Sequence, residues 1–392
     1  MTTLLEMAQE LLSKIYNTAA ETPTQTLLLI LNTLLIGLVA FIYLLVHLLA
    51  PRPRSPLPSE KQYITTSHAG VESPKPLPCW YDGWNDLHVV GSGKGSPEQI
   101  SAPVVGMSVV IPAYNEEERL EAMLEEAVAL LDTEYGRTPL KQKGKGLGGY
   151  EILIVDDGSR DQTVEVALQF ARKKGLHDVL RVCSLAKNRG KGGAVTHGFR
   201  HVRGAYAVFA DADGASRFED LRKLVEGCRA VEDGAQRGIA VGSRAHMVGT
   251  EAVVKRSVLR NALMHSFHLL LRLLTPPATS RIGDTQCGFK LFSRAALPHI
   301  IPYMHADGWI FDVEMLMLAE SAPPQISSLE NGNGIGNEQV TRTSPGIRVA
   351  EVAIGWQEVG GSKLNVVWDS LGMAWGLAIL RAGWMLGVYK RR

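Results

Sequence analysis

The chain has 392 residues and a formal net charge of +1 at pH 7, so it is long enough for one large domain or two. Its charge creates no overall field that would indicate a nucleic-acid partner. The four cysteines, Cys79, Cys183, Cys228 and Cys287, have no CxxC spacing, which excludes a disulfide framework and the usual zinc signatures.

The first strongly apolar segment covers residues 26–50. It contains no residue of the Asp, Glu, Lys or Arg type and is long enough to cross a bilayer. A cleaved signal peptide fits poorly, because 25 residues precede the segment and no small-residue cleavage pattern follows it. Because Arg52 and Arg54 follow it, the positive-inside rule predicts that residues 1–25 are lumenal and that nearly the whole chain is cytosolic.

Residues 51–103 are rich in Pro, Gly and Ser, which predicts a linker that partly packs on the domain or the membrane surface. From residue 104 to residue 365, short apolar strands alternate with helices. This pattern predicts an α/β domain with a mostly parallel sheet flanked by helices. Strands are predicted at residues 107–111, 152–155, 180–184, 206–210, 238–242 and 348–354, and helices at 116–131, 161–174, 192–202 and 253–274.

Two insertions interrupt this domain, a basic Gly-rich loop at residues 136–149 and a polar segment at 322–347. The second is predicted to be mobile and a poor place to look for chemistry. Residues 366–392 are predicted to form a membrane-associated helix. Asp369 and Arg381 interrupt its apolar run, which favours a helix at the membrane interface over a second span. A buried core helix is the alternative, both here and for residues 253–274.

Polar residues follow each of the first four predicted strands, and in parallel sheets ligands bind at the carboxyl ends of the strands. Four such ends on one edge therefore predict a single site. The polar stretches are residues 112–116, 156–159, 187–193 and 211–213.

Asp211 and Asp213 are the centre of this site. If the predicted strand at residues 206–210 keeps its geometry as far as residue 213, the two side chains point to the same side. Neighbouring carboxylates repel each other, and a hard divalent cation would stabilise them. The alternative is a solvated acidic turn.

The other strand ends have their own chemistry. The loop at residues 188–193 lets backbone N–H groups and Lys191 approach a phosphate, although it is not a Walker A loop. Asp156 or Asp157 could accept hydrogen bonds from a base or ribose, or could cap the following helix.

The chain resembles the family 2 glycosyltransferases with the GT-A fold, and more narrowly the dolichyl-phosphate glucosyltransferases of the endoplasmic reticulum. The motifs cover most of the chain outside residues 51–103 and the two insertions. They are VVIPAYNEEERL (109–120), ILIVDDGSRDQT (152–163), NRGKGGAVTHGF (188–199), VFADADGAS (208–216), GSRAH (242–246), DTQCGFKLF (284–292), GWIFDVEML (308–316) and GWQEVGGSKLN (355–365).

The resemblance implies a role for individual residues. Asp211 and Asp213 would hold Mg²⁺ or Mn²⁺ and, with Arg244 and Lys290, would be catalytic. Arg260, Ser362 and Lys363 would bind the acceptor phosphate. The nucleotide sugar would be bound by Pro112, Ala113, Tyr114, Glu116, Asp156, Asp157, Gly190, Lys191, Asp211, Ala212 and Asp213.

The reaction implied is the transfer of glucose from UDP-glucose to dolichyl phosphate with inversion, giving dolichyl β-D-glucosyl phosphate for protein N-glycosylation. The phosphate acceptor is already a nucleophilic dianion near neutral pH, so Asp312 and Glu314 are expected to be positioning or structural groups, with catalysis by them as the alternative. The enzyme would be a single-pass protein of the endoplasmic reticulum membrane, held at the lipid bilayer with its catalytic domain in the cytosol, and a homo-oligomer is left open. The alternatives are a GDP-mannose-dependent enzyme and a non-catalytic membrane scaffold that binds nucleotide sugars.

Overall fold

The structure, a computed structural model, describes part of the chain. Its described residues fall into two compact units, Met1–Ala50 with Ile379–Arg392, and Pro51–Ala378. They are residues 7, 9–10, 13–14, 17, 22–89, 100–138, 141–142, 146–247, 258–328, 341–344, 346–360 and 366–389.

The first unit contains helix α1, Thr24–Leu49. Among the described residues it is the one helix that is long and apolar enough to cross a membrane. Its 26 residues would extend for about 39 Å at the usual rise per residue, more than the hydrocarbon thickness of a bilayer. Most of its leucine, isoleucine and valine side chains are exposed, as expected of a helix that faces lipid.

The second unit is built on one seven-stranded sheet. Its spatial order is β7-β5-β6-β4-β1-β2-β3, and every strand is parallel to the others except β6, which is antiparallel to both β4 and β5. The strands are β1 (Val105–Ala113), β2 (Tyr150–Asp156), β3 (Leu180–Ser184), β4 (Gly204–Ala210), β5 (Ile239–Ser243), β6 (Phe289–Ser293) and β7 (Val349–Ala353).

The second unit also contains helices, the last of which continues beyond it. They are α2 (Trp80–Val89), α3 (Leu120–Glu134), α4 (Thr163–Lys173), α5 (Lys191–Phe199), α6 (Leu221–Val231), α7 (Val258–Leu274), α8 (Pro277–Ser280), α9 (Phe311–Glu320) and α10 (Val366–Met385). Of these, α3, α4, α5 and α6 pack on the sheet. Short strand pairs lie within the two insertions, Lys141–Gln142 with Gly146–Leu147 and Gln325–Ser328 with Thr341–Ser344.

A hydrophobic core joins the sheet to α3, α4 and α6, and α5 packs on β1 and β2. β1 and β2 are nearly continuous apolar runs because both of their faces are buried. A glycine brings α5 close to them, since a Cβ added at Gly198 would lie 2.5 Å from a methyl carbon of Val110 and 3.0 Å from one of Val155. The start of α5, which carries Lys191, is thereby fixed relative to the strand ends.

The strand pattern of the sequence is confirmed, with one added strand, β6. Of the helices, α2, α6, α8 and α9 were not predicted. β6 has only five residues, and all five are buried, so it lacks the alternation that marks a strand with one exposed face. Helix α3 begins at Leu120 rather than at residue 116, because the preceding residues bond to the loop that follows β2.

The segment predicted as a linker is built into the second unit. The backbone of Ile64 exchanges two hydrogen bonds of 2.9 Å with that of Val182 in β3, and the indole of Trp80 donates to the carbonyl of Phe199 at 2.6 Å. This part of the chain therefore extends one edge of the sheet and covers α5. Residues 90–99, in the rest of the predicted linker, lie outside the described part of the chain.

Glu60 holds this segment in place. Its fully buried carboxylate accepts hydrogen bonds from Arg54 at 2.8 Å and from the backbone N–H groups of Leu57 and Ala186, both at 2.9 Å. Burial alone would raise the pKa of Glu60, but these hydrogen bonds lower it to about 2. The ionised carboxylate is therefore the form that the fold stabilises.

We expect Glu60→Gln to lower the free energy of unfolding by about 1–3 kcal/mol, because the backbone donors and Arg54 lose a charged acceptor. The folded-state pKa is depressed, so this contribution is complete above the ordinary value of 4.5 and is lost as the pH falls towards about 2. Denaturant unfolding of the full chain in detergent, followed by tryptophan fluorescence at several pH values, measures it. Glu226→Gln, at an exposed position of α6, is the control, and an equal effect of both variants at pH 7 would contradict the role of Glu60.

Candidate active site

The four polar strand ends lie on one edge of the sheet. β3, β2, β1 and β4 are neighbours in this order and run parallel, so the loops that follow them are adjacent. The sequence prediction of a single site at this edge agrees with this arrangement.

The loops after β1 and β2 are bonded to each other. The backbone N–H of Asn115 donates to the hydroxyl of Ser159 at 2.9 Å, and that of Glu116 donates to the hydroxyl of Thr163 at 2.7 Å. Asn115 has a φ of 54°, a left-handed conformation that Asn tolerates better than most residues. Its side-chain oxygen accepts from the N–H of Arg160 at 2.8 Å. The predicted nucleotide-binding stretch thus has a fixed backbone.

Arg119 is a site residue that the sequence prediction missed. Its guanidinium donates to the carboxylate of Glu116 at 2.7 and 2.8 Å and lies 4.0 Å from Asp213. It therefore links the loop after β1 to the carboxylates after β4. Three other residues of the first loop were predicted to bind the nucleotide sugar. The carbonyl of Ala113 accepts a hydrogen bond from the backbone N–H of Asp157. Pro112 and Tyr114 are partly buried.

The two aspartates after β2 are both buried but have different partners. Asp156 accepts the backbone N–H of Ser159 at 2.9 Å, within its own turn. Asp157 accepts the N–H groups of Arg189 at 2.7 Å and Gly190 at 2.8 Å. Burial raises the pKa of Asp157 to about 6 against the effect of these hydrogen bonds. In the structure, Asp157 holds the loop that leads into α5.

The glycines of that loop pack closely on residues 306–311. A Cβ at Gly190 would lie 2.7 Å from the carbonyl oxygen of Asp307, and one at Gly192 would lie 2.5 Å from Cβ of Phe311. The N–H of Gly190 is bonded to Asp157, and that of Gly193 donates to Asp307. These glycines allow residues 306–311 to approach, so the side chain of Lys191 is the feature of this loop that faces the carboxylates.

Lys191 forms an ion pair with the central acidic group. Its Nζ lies 2.6 Å from Oδ1 of Asp211 and 5.8 Å from the centre of the Trp309 ring. Burial lowers the pKa of Lys191, but Asp211, Asp312 and Asp213 together raise it above its ordinary value. The side chains of Asp211 and Asp213 remain 27% and 29% exposed, with Ala212 buried between them.

Gly288 sets the position of Asp211. Its carbonyl accepts the N–H of Asp211 at 3.1 Å, and a Cβ at this position would lie 1.9 Å from Oδ2 of Asp211. No larger residue fits here unless the carboxylate moves. The sequence prediction missed this residue, although it lies within the quoted motif at residues 284–292.

Lys290, for which the resemblance implied a catalytic role, lies in the interior of the protein. Its ammonium group is fully buried, donates to a carboxylate oxygen of Asp312 and to the carbonyl of Cys287 at 2.6 Å, and sits 5.2 Å from the centre of the Phe209 ring. It faces these groups rather than the open edge, so a contact with substrate phosphates does not follow from the structure. The ion pair with Asp312 ties β6 to α9.

Asp312 and Glu314 are both buried in α9. Glu314 accepts the backbone N–H groups of His305 at 3.0 Å and Ala306 at 2.7 Å, which fixes the segment that packs on Gly190 and Gly192. These contacts agree with the interpretation of both carboxylates as positioning or structural groups.

Arg244 is held by a partner that the sequence prediction missed. It donates to both oxygens of Asp284, at 2.7 and 2.9 Å, and lies 5.6 Å from the centre of the Trp356 ring. Burial lowers the pKa of Arg244, whereas Asp284 and, more weakly, Cys287 and Asp211 raise it above its ordinary value. Arg244 follows directly after β5, which runs parallel to β4, so it lies at the same edge of the sheet as Asp211.

The predicted acceptor residues are not described. Ser362 and Lys363 lie outside the described residues, and Arg260 lies in α7 at a position whose side chain is not described.

The carboxylates fit a metal that is shared with a ligand. Among the described residues, no group of three or more His, Cys, Asp or Glu side chains is placed to hold a metal. Asp211 and Asp213 supply two carboxylates, and Oδ1 of Asp213 already accepts the N–H of Ala215. Mg²⁺ is commonly held by one or two carboxylates together with substrate phosphates, so this pair suits a cation that a diphosphate completes.

Comparison with known proteins extends this picture. Residues 108–300 match the family described as "Glycosyl transferase family 2". Among solved structures, glucosyl-3-phosphoglycerate synthase from Mycobacterium tuberculosis, in complex with Mn²⁺, UDP and glucosyl-3-phosphoglycerate, has a TM-score of 0.42 and 20% identity, covering 71% of this chain and 80% of that chain.

Curated relatives match over most of their length. The dolichyl-phosphate beta-glucosyltransferase of Saccharomyces cerevisiae is 40% identical over 366 residues, covering 91% of this chain and 94% of that protein. The human protein of the same name is 37% identical over 305 residues, covering 78% of this chain and 83% of that protein. The chain is a glycosyltransferase that belongs to the dolichyl-phosphate beta-glucosyltransferase family, within glycosyltransferase family 2.

Proposed function

We propose that this protein transfers glucose from UDP-glucose to dolichyl phosphate with inversion, giving dolichyl β-D-glucosyl phosphate. The observation that carries the proposal is the 40% identity to a dolichyl-phosphate beta-glucosyltransferase over 91% of this chain. The cluster of Lys191, Asp211 and Asp213 at the strand ends supports a site for a nucleotide diphosphate.

Lys191 and Arg244 are the cations of this donor site. Lys191 already lies against Asp211, and the carboxylate of Asp284 accepts two hydrogen bonds from the guanidinium of Arg244. Both would face the diphosphate and stabilise the negative charge that develops as UDP departs. Asp211 and Asp213 would hold Mg²⁺ or Mn²⁺, which when bound neutralises diphosphate charge.

The loops after β1 and β2 would bind the nucleoside. Their hydrogen bonds to each other give them a fixed shape before any ligand arrives, which lowers the entropic cost of binding. Asp156 lies at the end of β2, and Glu116 is oriented by Arg119.

The acceptor needs alignment more than deprotonation. A phosphate monoester has a second pKa of about 6, so its oxygen is already nucleophilic near neutral pH. The buried carboxylates near the site are engaged, Asp312 by Lys290 and Glu314 by backbone N–H groups. The protein would accelerate the reaction by aligning the acceptor oxygen with the sugar carbon. Arg260, Ser362 and Lys363 remain the proposed groups for the acceptor phosphate.

Because the proposed acceptor, dolichyl phosphate, is held in a membrane, the active site must lie at the surface of that membrane. α1 would anchor the chain in the endoplasmic reticulum membrane, with the catalytic domain in the cytosol. Leu269 and Leu273 on α7 are exposed one turn apart, and Trp368, Leu371 and Trp375 on α10 are exposed at helical spacing. Such apolar helix faces with tryptophan suit the lipid interface.

The assay that tests the function gives the full chain, reconstituted in vesicles with dolichyl phosphate, either UDP-glucose or GDP-mannose. We expect lipid-linked glucose from UDP-glucose and no lipid-linked mannose. EDTA should abolish the product, and Mg²⁺ or Mn²⁺ should restore it, because the diphosphate needs a counter-cation to leave. Mannose transfer would support the GDP-mannose alternative, and binding without turnover would support the scaffold.

Asp213→Asn should reduce turnover by about 10²–10³-fold, the range seen when one group that stabilises transition-state charge is removed. Asp86→Asn, at an exposed position of α2, is the matched control and should keep full turnover. Retained turnover in Asp213→Asn would remove this carboxylate from the proposed metal site.

Gly288→Ala should also abolish transfer, because the new Cβ would occupy the place of the Asp211 carboxylate. Transfer is measured with the same vesicle assay, and thermal unfolding shows whether the fold persists. Gly234→Ala is the control, since a Cβ at Gly234 meets no atom within 4 Å. A folded Gly288→Ala variant with normal turnover would show that the position of Asp211 does not matter for transfer.

A further inference from the structure

Arg119 contacts three separate parts of the candidate site. Its guanidinium donates to both carboxylate oxygens of Glu116, in the loop after β1. Its Nη1 lies 4.0 Å from the carboxylate of Asp213 and donates to the backbone carbonyl of Gly360 at 3.1 Å. The side chain is 15% exposed, so most of its surface is shielded from water.

Gly360 ends a segment that lies along the loop after β4. This segment, residues 355–360, follows β7 in the chain. The backbone N–H of Gln357 donates to the carbonyl of Ala215 at 2.9 Å, and the backbone N–H of Arg217 donates to the carbonyl of Gly355 at 2.9 Å. These backbone bonds hold the first part of the segment beside the loop, and Arg119 binds its end.

The residues proposed to bind the acceptor phosphate follow this segment directly. Ser362 and Lys363 come two and three positions after Gly360 in the sequence. Three residues of chain span at most about 11 Å. The position of Gly360 therefore limits where the two acceptor groups can lie.

We propose that Arg119 is a positioning residue for the acceptor: through the carbonyl of Gly360, it fixes the start of the acceptor-binding stretch relative to the loops that would bind the donor. A guanidinium suits this role because its planar fork presents several donors in fixed directions. Alignment of the two reactants is what the proposed reaction needs most. The inference rests on the proposed function and goes beyond it by naming a residue that aligns the acceptor.

The first test is transfer by Arg119→Met in vesicles at saturating UDP-glucose, with the concentration of dolichyl phosphate varied. We expect kcat/KM for dolichyl phosphate to fall by about 10–100-fold, the equivalent of one hydrogen bond from a charged donor. The affinity for UDP in the presence of Mg²⁺, measured by calorimetry, should fall by a smaller factor. An unchanged kcat/KM, or a loss no larger than the loss of UDP affinity, would overturn the proposal.

Arg137→Met is the matched control. Arg137 also donates to both oxygens of a carboxylate, that of Asp132, and to a backbone carbonyl, that of Lys174. It follows the other end of α3, and the 15 residues of this helix extend for about 22 Å at the usual rise per residue. This variant should keep the wild-type kcat/KM, and an equal loss in both variants would overturn the specific role of Arg119.

Arg119→Lys provides a second variant if Arg119→Met does not fold. It keeps the positive charge but loses the planar fork, so kcat/KM for dolichyl phosphate should again fall. A wild-type value in this variant would show that charge alone is sufficient and would overturn the proposal.

Hydrogen exchange tests the same inference without turnover. In the full chain in detergent, the amides of residues 355–360 should exchange about tenfold faster in Arg119→Met than in the wild type, because the segment loses a hydrogen bond from a charged donor. Arg137→Met should leave their exchange unchanged. Equal exchange in Arg119→Met and the wild type would overturn the proposal.

These outcomes are separate from a failure of the proposed function. If the wild type transfers no glucose to dolichyl phosphate, the proposed function is wrong, and hydrogen exchange still decides whether Arg119 holds residues 355–360. If the wild type transfers glucose and Arg119→Met does so equally well, the function stands and the role of Arg119 fails.

Discussion

Negative charge at the carboxyl end of β4 is the constraint on which the site depends. Burying carboxylates is unfavourable unless cations or hydrogen bonds compensate them. The structure meets this requirement in two places: Lys191 pairs with Asp211 at the partly exposed edge, and Lys290 pairs with Asp312 in the interior. The outer pair is partly exposed at the site, whereas the inner pair is buried, joins β6 to α9 and is structural.

The outer pair is held in place by contacts from several parts of the chain. Asp157, at the end of β2, holds the loop that carries Lys191. The other side of this loop packs on residues 306–311, which Glu314 fixes through backbone hydrogen bonds. These supports explain how a lysine on a Gly-rich loop can have a defined position next to Asp211, as a charged group at a functional site requires.

The sequence predicted the parts of the site that depend on local pattern. Four apolar strands, each followed by polar residues, were sufficient to predict that Asp211 and Lys191 lie at one site, because neighbouring parallel strands bring their carboxyl ends to one edge. The sequence did not predict partners that are distant along the chain. Asp284, which binds Arg244, is 40 residues away from it in the sequence. Asp312, which pairs with the buried Lys290, is 22 residues away. Local pattern contains no information about such pairs, so the buried position of Lys290 was not predicted.

The central claim is that Asp211 and Asp213 hold a divalent metal together with the diphosphate of the donor. A crystal structure of the protein with UDP and Mn²⁺, with the metal located by its anomalous scattering, tests this most directly. We predict one Mn²⁺ within bonding distance of these carboxylates and of the diphosphate. Mn²⁺ bound away from both carboxylates, or a diphosphate at another edge of the sheet, would contradict the account.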